Sequence, residues 1–431
     1  MSRRILRRAS VLHLDPLRIE AADILIEDGQ IAAIGLGIPT EDAIEEKHPG
    51  ALILPGLVCA HTHLATSLLP GAPRPADAAA QTGPRSALGL RYDEALDPYA
   101  IWIATLIGGL DALRCGVTTL IDQHSSPRSV KGSLEAIDGA LDLIGQRRIL
   151  SYEVSERQGQ DGVRAGLKAH EVLLSAAHNP RRALMIGLDA TQPPSARTLS
   201  QVAHLAREAG VGVHVHVAEG RFVDDALPPN LLGDLGRHGL LRPGTLLAHG
   251  AWLDRKALRT ASEQGAWTTV HPRKDTASLA ELRGARVAIG TDGLGHNLFA
   301  ELQAAFWGAR PADQRPIDLL GWLAQSARLG GELLGLPLGR LEVGAPADLV
   351  VLESPTLQPL TRENIAPTLL TQMSPAWVRH VMIDGDWRLR DGQPTGVDLD
   401  ELRFEVAEVC EALWTRMATP HAPWAPLQAS A

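Results

Sequence analysis

The stretch Leu52-Ile53-Leu54-Pro55-Gly56-Leu57-Val58-Cys59-Ala60-His61-Thr62-His63 decides how this chain is read. Its apolar body has the character of a strand buried on both faces, as in parallel sheets, and it ends on two histidines one residue apart. Side chains alternate with a period of two along a strand, so His61 and His63 project from the same face, with imidazoles near enough to chelate one metal ion. The plain alternative is a pair of partly buried core histidines. The rest of the chain separates the two readings.

Downstream, short apolar runs rich in β-branched residues recur near 53–60, 118–122, 148–154, 184–190, 211–217, 245–251, 267–271 and 286–291. Between them lie amphipathic stretches such as Tyr99 to Arg114, Leu134 to Ile144, Val163 to Ala177 and Leu199 to Ala209, with glycine stops at Gly116 and Gly210. Eight strands alternating with helices close a (β/α)8 TIM-like barrel, expected over 57–340. Both chain ends carry hairpin patterns instead. Ala22 to Ile34 turns at Asp28-Gly29, and Val378 to Arg390 turns at Asp384-Gly385. Residues 1–56 and 341–397 are therefore expected to form one small composite β-sandwich, and 398–431 a C-terminal helix and loose tail. The Pro-, Ala- and Gly-rich connection at 65–95 reads as part of a lid.

Composition narrows the function classes. A net charge of -9 over 431 residues argues against a nucleic-acid surface, which needs clustered positive charge. Met1 to Arg8 is basic, but no apolar stretch of signal length follows, and no window of about 20 residues could span a bilayer. Three cysteines, Cys59, Cys115 and Cys410, are odd in number and lack ligand spacing, which suits a reducing cytoplasm. A soluble enzyme acting on a small molecule fits these limits.

The polar residues fall on the barrel in a pattern. At or just past strand ends stand His61 and His63, His124, Glu153 and Glu156, Asp189, His214, His216 and Glu219, His249, His271, and Asp292 with His296. Eight of the 16 histidines thus sit at the mouth where such barrels build active sites. Imidazole with carboxylate suits zinc or iron. Each residue also has a structural reading. Asp292 in Gly-Thr-Asp-Gly could simply make a turn, Glu219 could be an exposed loop carboxylate, and His249 could be a core histidine. His214 lies deeper than His216 and reads as a supporting or core residue, with ligation by His214 in place of His216 as the alternative.

Four ordered segments carry a resemblance: Leu54 to His63, Val213-His214-Val215-His216-Val217-Ala218-Glu219, Leu247-Ala248-His249 and Ile289-Gly290-Thr291-Asp292-Gly293. They resemble the amidohydrolase superfamily, in the subgroup of mononuclear deaminases and chlorohydrolases of nitrogen heterocycles. Asp122-Gln123-His124-Ser125-Ser126-Pro127 and Ser151 to Arg157 resemble the SsnA-like aminohydrolases within it. The resemblance implies one divalent ion, zinc ahead of iron, on His61, His63, His216 and Asp292. It further implies Glu219 as proton shuttle, His249 as a polarising hydrogen-bond partner of the substrate, and Asp292 as catalytic as well as ligating. His124, Glu153, His271, Arg273 and His296 are the candidates for substrate contact. Homodimers are usual among similar proteins.

Lysine is scarce, and that bears on the metal count. Dinuclear relatives bridge two ions with a carboxylated lysine on the fourth strand, whereas Leu184-Met185-Ile186-Gly187-Leu188-Asp189-Ala190 has none, so one ion is expected. One segment departs from the family pattern. His271-Pro272-Arg273-Lys274-Asp275 replaces a His followed by an Asn-Pro-x-Ser-Asn type loop. Arg273 and Lys274 there either meet a substrate carboxylate or phosphate, or lie in solvent. The expected chemistry is hydrolysis of a C–N bond in a small nitrogen-rich molecule by water activated on the ion, releasing ammonia. Chlorohydrolase or cyclic-amide hydrolase activity is the alternative on the same site, and an inactive metal-binding scaffold the alternative of another class.

Overall fold

The computed structural model describes residues 3–39, 42–73, 87–190, 194–217, 231–250, 253–274, 282, 284–293, 295–309, 315–353 and 358–418. Five strands come first: β1 (Arg3–Leu14), β2 (Leu17–Glu27), β3 (Gln30–Gly35), β4 (Ile44–Lys47) and β5 (Leu52–Pro55). β6 (Leu57–Thr62), β7 (Val117–His124), β8 (Arg147–Val154), β9 (Arg182–Leu184), β10 (Ile186–Leu188), β11 (Val213–Val217), β12 (Leu246–His249), β13 (Trp267–Val270) and β14 (Val287–Ile289) follow. The last four are β15 (Leu349–Leu352), β16 (Val378–Ile383), β17 (Asp386–Arg390) and β18 (Gln393–Pro394).

The apolar run at 52–62, continuous in sequence, is two strands in two different sheets. β5 pairs with β1 and β15, while β6 pairs with β7. Between them Gly56 donates its N–H to the Asp348 carbonyl at 2.8 Å. A Cβ at Gly56 would lie 2.3 Å from Thr118 Oγ1, so only glycine lets the chain cross there.

β6 to β14 form a (β/α)8 barrel of parallel strands in the order β14-β13-β12-β11-β10-β8-β7-β6, with β9 beside β8. The fourth strand is interrupted at Met185, whose N–H still reaches the Leu150 carbonyl. Closure runs through the segment after β14. Thr62 bridges Asp292 in parallel, and the His61 carbonyl accepts the N–H groups of Thr291 at 3.0 Å and Asp292 at 3.1 Å. Gly290 permits this approach, since a Cβ there would lie 2.6 Å from the His61 carbonyl oxygen. Several of the outer helices begin on side-chain caps, among them Asp97 on Ala100 N–H, Ser195 on Thr198 N–H and Asp254 on Ala257 N–H.

Strands from both chain ends share a second sheet, ordered β18-β17-β16-β15-β5-β1-β2-β3 with β4 beside β1. Period-two alternation divides its faces. Leu52, Leu54, Val350, Leu352, Val381 and Ile383 join the core shared with the barrel, while Ile53, Leu349, Val351 and Met382 join a second core of the sheet's own. Its two Asp-Gly turns have both residues at positive φ, 49° and 82° at Asp28-Gly29 and 52° and 78° at Asp384-Gly385. Buried Arg147 at the start of β8 ties the sheet to the barrel through Asp348, at 2.6 and 3.0 Å, and through Asp384.

The connection after β6 is packed where it is described. Leu68, Leu69 and Tyr92 are buried, and the Tyr92 hydroxyl donates to the Ala65 carbonyl at 2.5 Å. The expected C-terminal helix spans Leu399–Ala418, and Arg416 donates to the Ala95 carbonyl at 2.7 Å. The proline-rich tail lies outside the described residues. Among the described residues, no single helix is long and apolar enough to cross a membrane.

Candidate metal centre

Three strands, β6, β11 and β12, and the closing segment deliver donor atoms to one point at the C-terminal mouth. His216 Nε2 lies 3.2 Å from His63 Nε2, and Asp292 Oδ1 lies 3.3 Å from His63 Nε2 and 3.4 Å from His61 Nε2. Zinc–nitrogen bonds of about 2.0–2.1 Å in tetrahedral geometry separate neighbouring donors by roughly 3.3–3.4 Å. The observed spacings match one ion. His249 Nε2 stands farther back, 3.9 Å from Asp292 Oδ1, although the donors of His61, His216, His249 and Asp292 also lie within 4.8 Å of one another.

The hydrogen bonds behind these rings fix which nitrogen faces inward. The Asp122 carbonyl can only accept, so Ser151 Oγ donates to it at 3.0 Å. Ser151 then accepts from His214 Nδ1 at 3.2 Å, which leaves His214 Nε2 to accept from His61 Nδ1 at 2.8 Å. His61 Nε2 is thereby an unprotonated donor atom, buried and with no hydrogen-bond partner among the described residues. A divalent cation fits that demand. His63 is set the same way, with Nδ1 donating to the Gln123 carbonyl at 2.5 Å, and His216 Nδ1 faces Glu153 Oε1 at 3.4 Å. The structure places His214 behind His61, hydrogen-bonded to its Nδ1 and to Ser151.

Electrostatics favour a cation. Burial, with the charges of neighbouring imidazoles adding to it, keeps His61 and His214 well below the ordinary histidine range and therefore neutral. Burial opposes charge on Asp292, but Lys274 and the imidazoles of His61 and His63 outweigh it and hold the carboxylate well below the usual range. Burial also opposes charge on His63, yet Asp292 outweighs it and raises the group to about 8. His249 and Asp292 adopt left-handed backbone, φ 74° and 56°, a strain of order 1–3 kcal/mol each that clusters at functional sites.

The other candidates are distributed around this centre. Glu153 and His124 line a recess beside it with His63, His216, Thr66, Leu90, Asp93, Gln123 and Arg157. Burial pushes His124 down to about 3, so it is neutral, and its Nε2 meets Ser126 Oγ at 2.8 Å. His271 Nδ1 packs 3.2 Å from His249 Nδ1. Asp189 receives Ser155 Oγ at 2.8 Å and pairs with Arg157 at 3.1 Å. Two expectations change. Arg273, expected to meet a substrate anion, meets buried Glu301, donating its main-chain N–H at 2.8 Å and Nε at 2.6 Å. His296 is buried against Asp111 at 3.1 Å and does not line the recess. Lys274 does find a carboxylate, but it is Asp292 of the protein itself, at 2.6 Å. Glu219, two residues past β11, lies outside the described residues. Asp93 and Leu90, on the helix Ala87–Ala95 within the connection read as part of a lid, also line the recess, and no local signal singled out these two residues.

Comparison with known proteins agrees with this picture. The model of the Amidohydrolase family matches residues 52–388. The 5'-deoxyadenosine deaminase of Methanosarcina mazei is 26% identical over an alignment of 456 residues covering 96% of this chain and 99% of that protein. A 5-methylthioadenosine/S-adenosylhomocysteine deaminase of Haloarcula marismortui is 28% identical, covering 96% and 99%. Among solved structures, a zinc-bound adenosine deaminase of Xanthomonas campestris shares the fold with a TM-score of 0.79 at 21% identity, over 95% of this chain and 98% of that one. The zinc complex of the atrazine chlorohydrolase of Arthrobacter aurescens does so at 0.78 and 22%, over 94% and 99%. The chain belongs to the amidohydrolase family and is a hydrolase acting on carbon–nitrogen bonds.

Proposed function

We propose that this protein deaminates an aminated purine or a related nitrogen heterocycle, using one zinc ion held by His61, His63, His216 and Asp292. The observation that carries the reading is the set of 3.2–3.4 Å separations among donor atoms whose tautomers are fixed from behind. When bound there, the ion supplies Lewis acidity that makes water nucleophilic near neutral pH. His249, steadied by His271, polarises the amine-bearing carbon by hydrogen bonding. Glu219 moves a proton from the water to the ring nitrogen or departing amine. Glu153 and His124 line the space beside the ion and are assigned to the heterocycle edge. Curated relatives named as deaminases of 5'-deoxyadenosine and 5-methylthioadenosine support a purine over a triazine. A cytoplasmic homodimer completes the reading. The buried free Cys59, Cys115 and Cys410 support the compartment, and the resemblance alone supports the dimer, which sedimentation tests.

The test is an ammonia-release screen on zinc-loaded protein across 5'-modified adenosines, aminopyrimidines and aminotriazines, with Glu219→Gln alongside. The expected result is turnover of an aminated purine that Glu219→Gln abolishes while retaining zinc. Turnover by Glu219→Gln at the parent rate, or two ions per chain, would overturn the assignment.

A further inference from the structure

The turn after β13 carries two cations, Arg273 and Lys274, and they have separate anions. The Lys274 N–H returns to the His271 carbonyl at 2.8 Å and closes a tight turn. Glu301, 1% exposed on the helix Leu298–Gly308, grips the turn through the Arg273 main chain and Nε. That grip sets the course of the next side chain. Lys274 Nζ lands 2.6 Å from Asp292 Oδ2. The other oxygen, Oδ1, faces His61 Nε2 at 3.4 Å and His63 Nε2 at 3.3 Å.

One carboxylate is therefore divided between two tasks. We propose that Lys274 is a positioning residue that occupies Asp292 Oδ2, confining the carboxylate to a single oxygen toward the ion and keeping one coordination position open for water. A carboxylate with both oxygens free can chelate an ion with both, and a catalytic ion needs an open position where a structural one does not. The ammonium also adds a positive charge on the far side of the ligand, which opposes binding of a divalent ion. Both effects give up affinity in exchange for an accessible ion. Glu301 and Arg273 serve the same end by fixing the turn. The inference rests on the metal reading above, and the experiment separates the two.

Wild-type protein, Lys274→Met, Lys274→Arg and Glu301→Gln are stripped of metal and titrated with zinc against a chromophoric chelator, then with cobalt(II) while its visible absorption is recorded. Lys274→Met is expected to bind zinc roughly tenfold more tightly, a modest value because the lysine is partly solvated. Its cobalt bands should weaken as coordination number rises. Lys274→Arg should restore both properties, and Glu301→Gln should shift both in the direction of Lys274→Met by a smaller step. A merely structural role would loosen zinc. Equal or weaker zinc binding by Lys274→Met with an unchanged cobalt spectrum overturns the proposal and leaves the metal reading intact. Should Lys274→Met fail to fold, zinc affinity and a cobalt spectrum unchanged in Glu301→Gln overturn it equally. Wild-type protein that takes up neither ion overturns both.

Discussion

Replacing Ser151 with Ala removes one hydroxyl from a fully buried position and cuts the relay that sets the tautomer of His61. The His214 Nδ1–H then has no acceptor, and an unsatisfied buried donor costs about 1–3 kcal/mol. In the ion-free protein His214 can escape by moving its proton to Nε2 and donating to His61 Nδ1, which drives the His61 proton onto Nε2. An ion on His61 Nε2 forbids that exchange. The cost therefore falls on the loaded state alone, and 1–3 kcal/mol corresponds to roughly 5- to 150-fold in affinity, in line with the 10- to 100-fold typical of outer-shell partners. Zinc competition against a chromophoric chelator should show a loss in that range, with the melting temperature of the ion-free protein close to the parent's. Imidazole nitrogen NMR of the ion-free variant should place the His61 proton on Nε2. Zinc affinity within about twofold of the parent's, against the loss expected of an outer-shell partner, would refute the directional relay.

Zinc affinity should depend on pH through His63. Its pKa is raised to about 8, so the proton is held below that pH and competes with the ion. Apparent affinity should fall about tenfold per pH unit below 8 and level off above it, and calorimetry at about pH 7 should record close to one proton released per ion, with no release counting against the assignment. Gly290→Ala should break barrel closure, because its Cβ would lie 2.6 Å from the His61 carbonyl oxygen. Overpacking of about 1–3 kcal/mol should appear as a lower melting temperature together with lost zinc content. Arg147→Met should destabilise the protein by about 3–5 kcal/mol in urea denaturation by stranding buried Asp348, and adding Asp348→Asn should recover much of the loss.

The centre sits on the seam of the barrel, which couples its geometry to closure. His61 supplies an imidazole to the site and a carbonyl to the Thr291 and Asp292 N–H groups, while Asp292 supplies a carboxylate to the same imidazole. Two backbone hydrogen bonds thus tie the segments together, and the side-chain donor atoms of His61 and Asp292 face one another at 3.4 Å across the candidate metal position. Cys59 adds a third tie, 3.4 Å from Thr291 Oγ1. Left-handed backbone at Asp292 is what aims its carboxylate inward from the seam, and an ion there would offset the strain. Displacing either residue by an ångström would disturb fold and chemistry together.

What the sequence made legible was whatever period-two alternation and strand ends encode. His61 and His63 share a face because they are two apart, and His216 follows the same rule on β11, two residues past His214, so both the site and its support were visible in one pentapeptide. The expected boundary between sandwich and barrel fell at 56/57, yet 53–60 read as one strand, because residues on either side of Gly56 are buried alike and a continuous apolar run does not show a break. Pairing partners distant in sequence were hidden for a similar reason. Arg273 read as a substrate contact or a solvated loop residue, and its actual partner was out of reach because Glu301 stands 28 residues later on a helix face that local pattern cannot aim. Lys274 shows the limit most clearly. As sequence it was a solvated loop cation or a substrate contact, and only closure of the barrel brings Asp292 Oδ2 within reach of its ammonium. A motif can therefore name ligands, whereas the number of oxygens each ligand offers is decided by residues the motif does not contain.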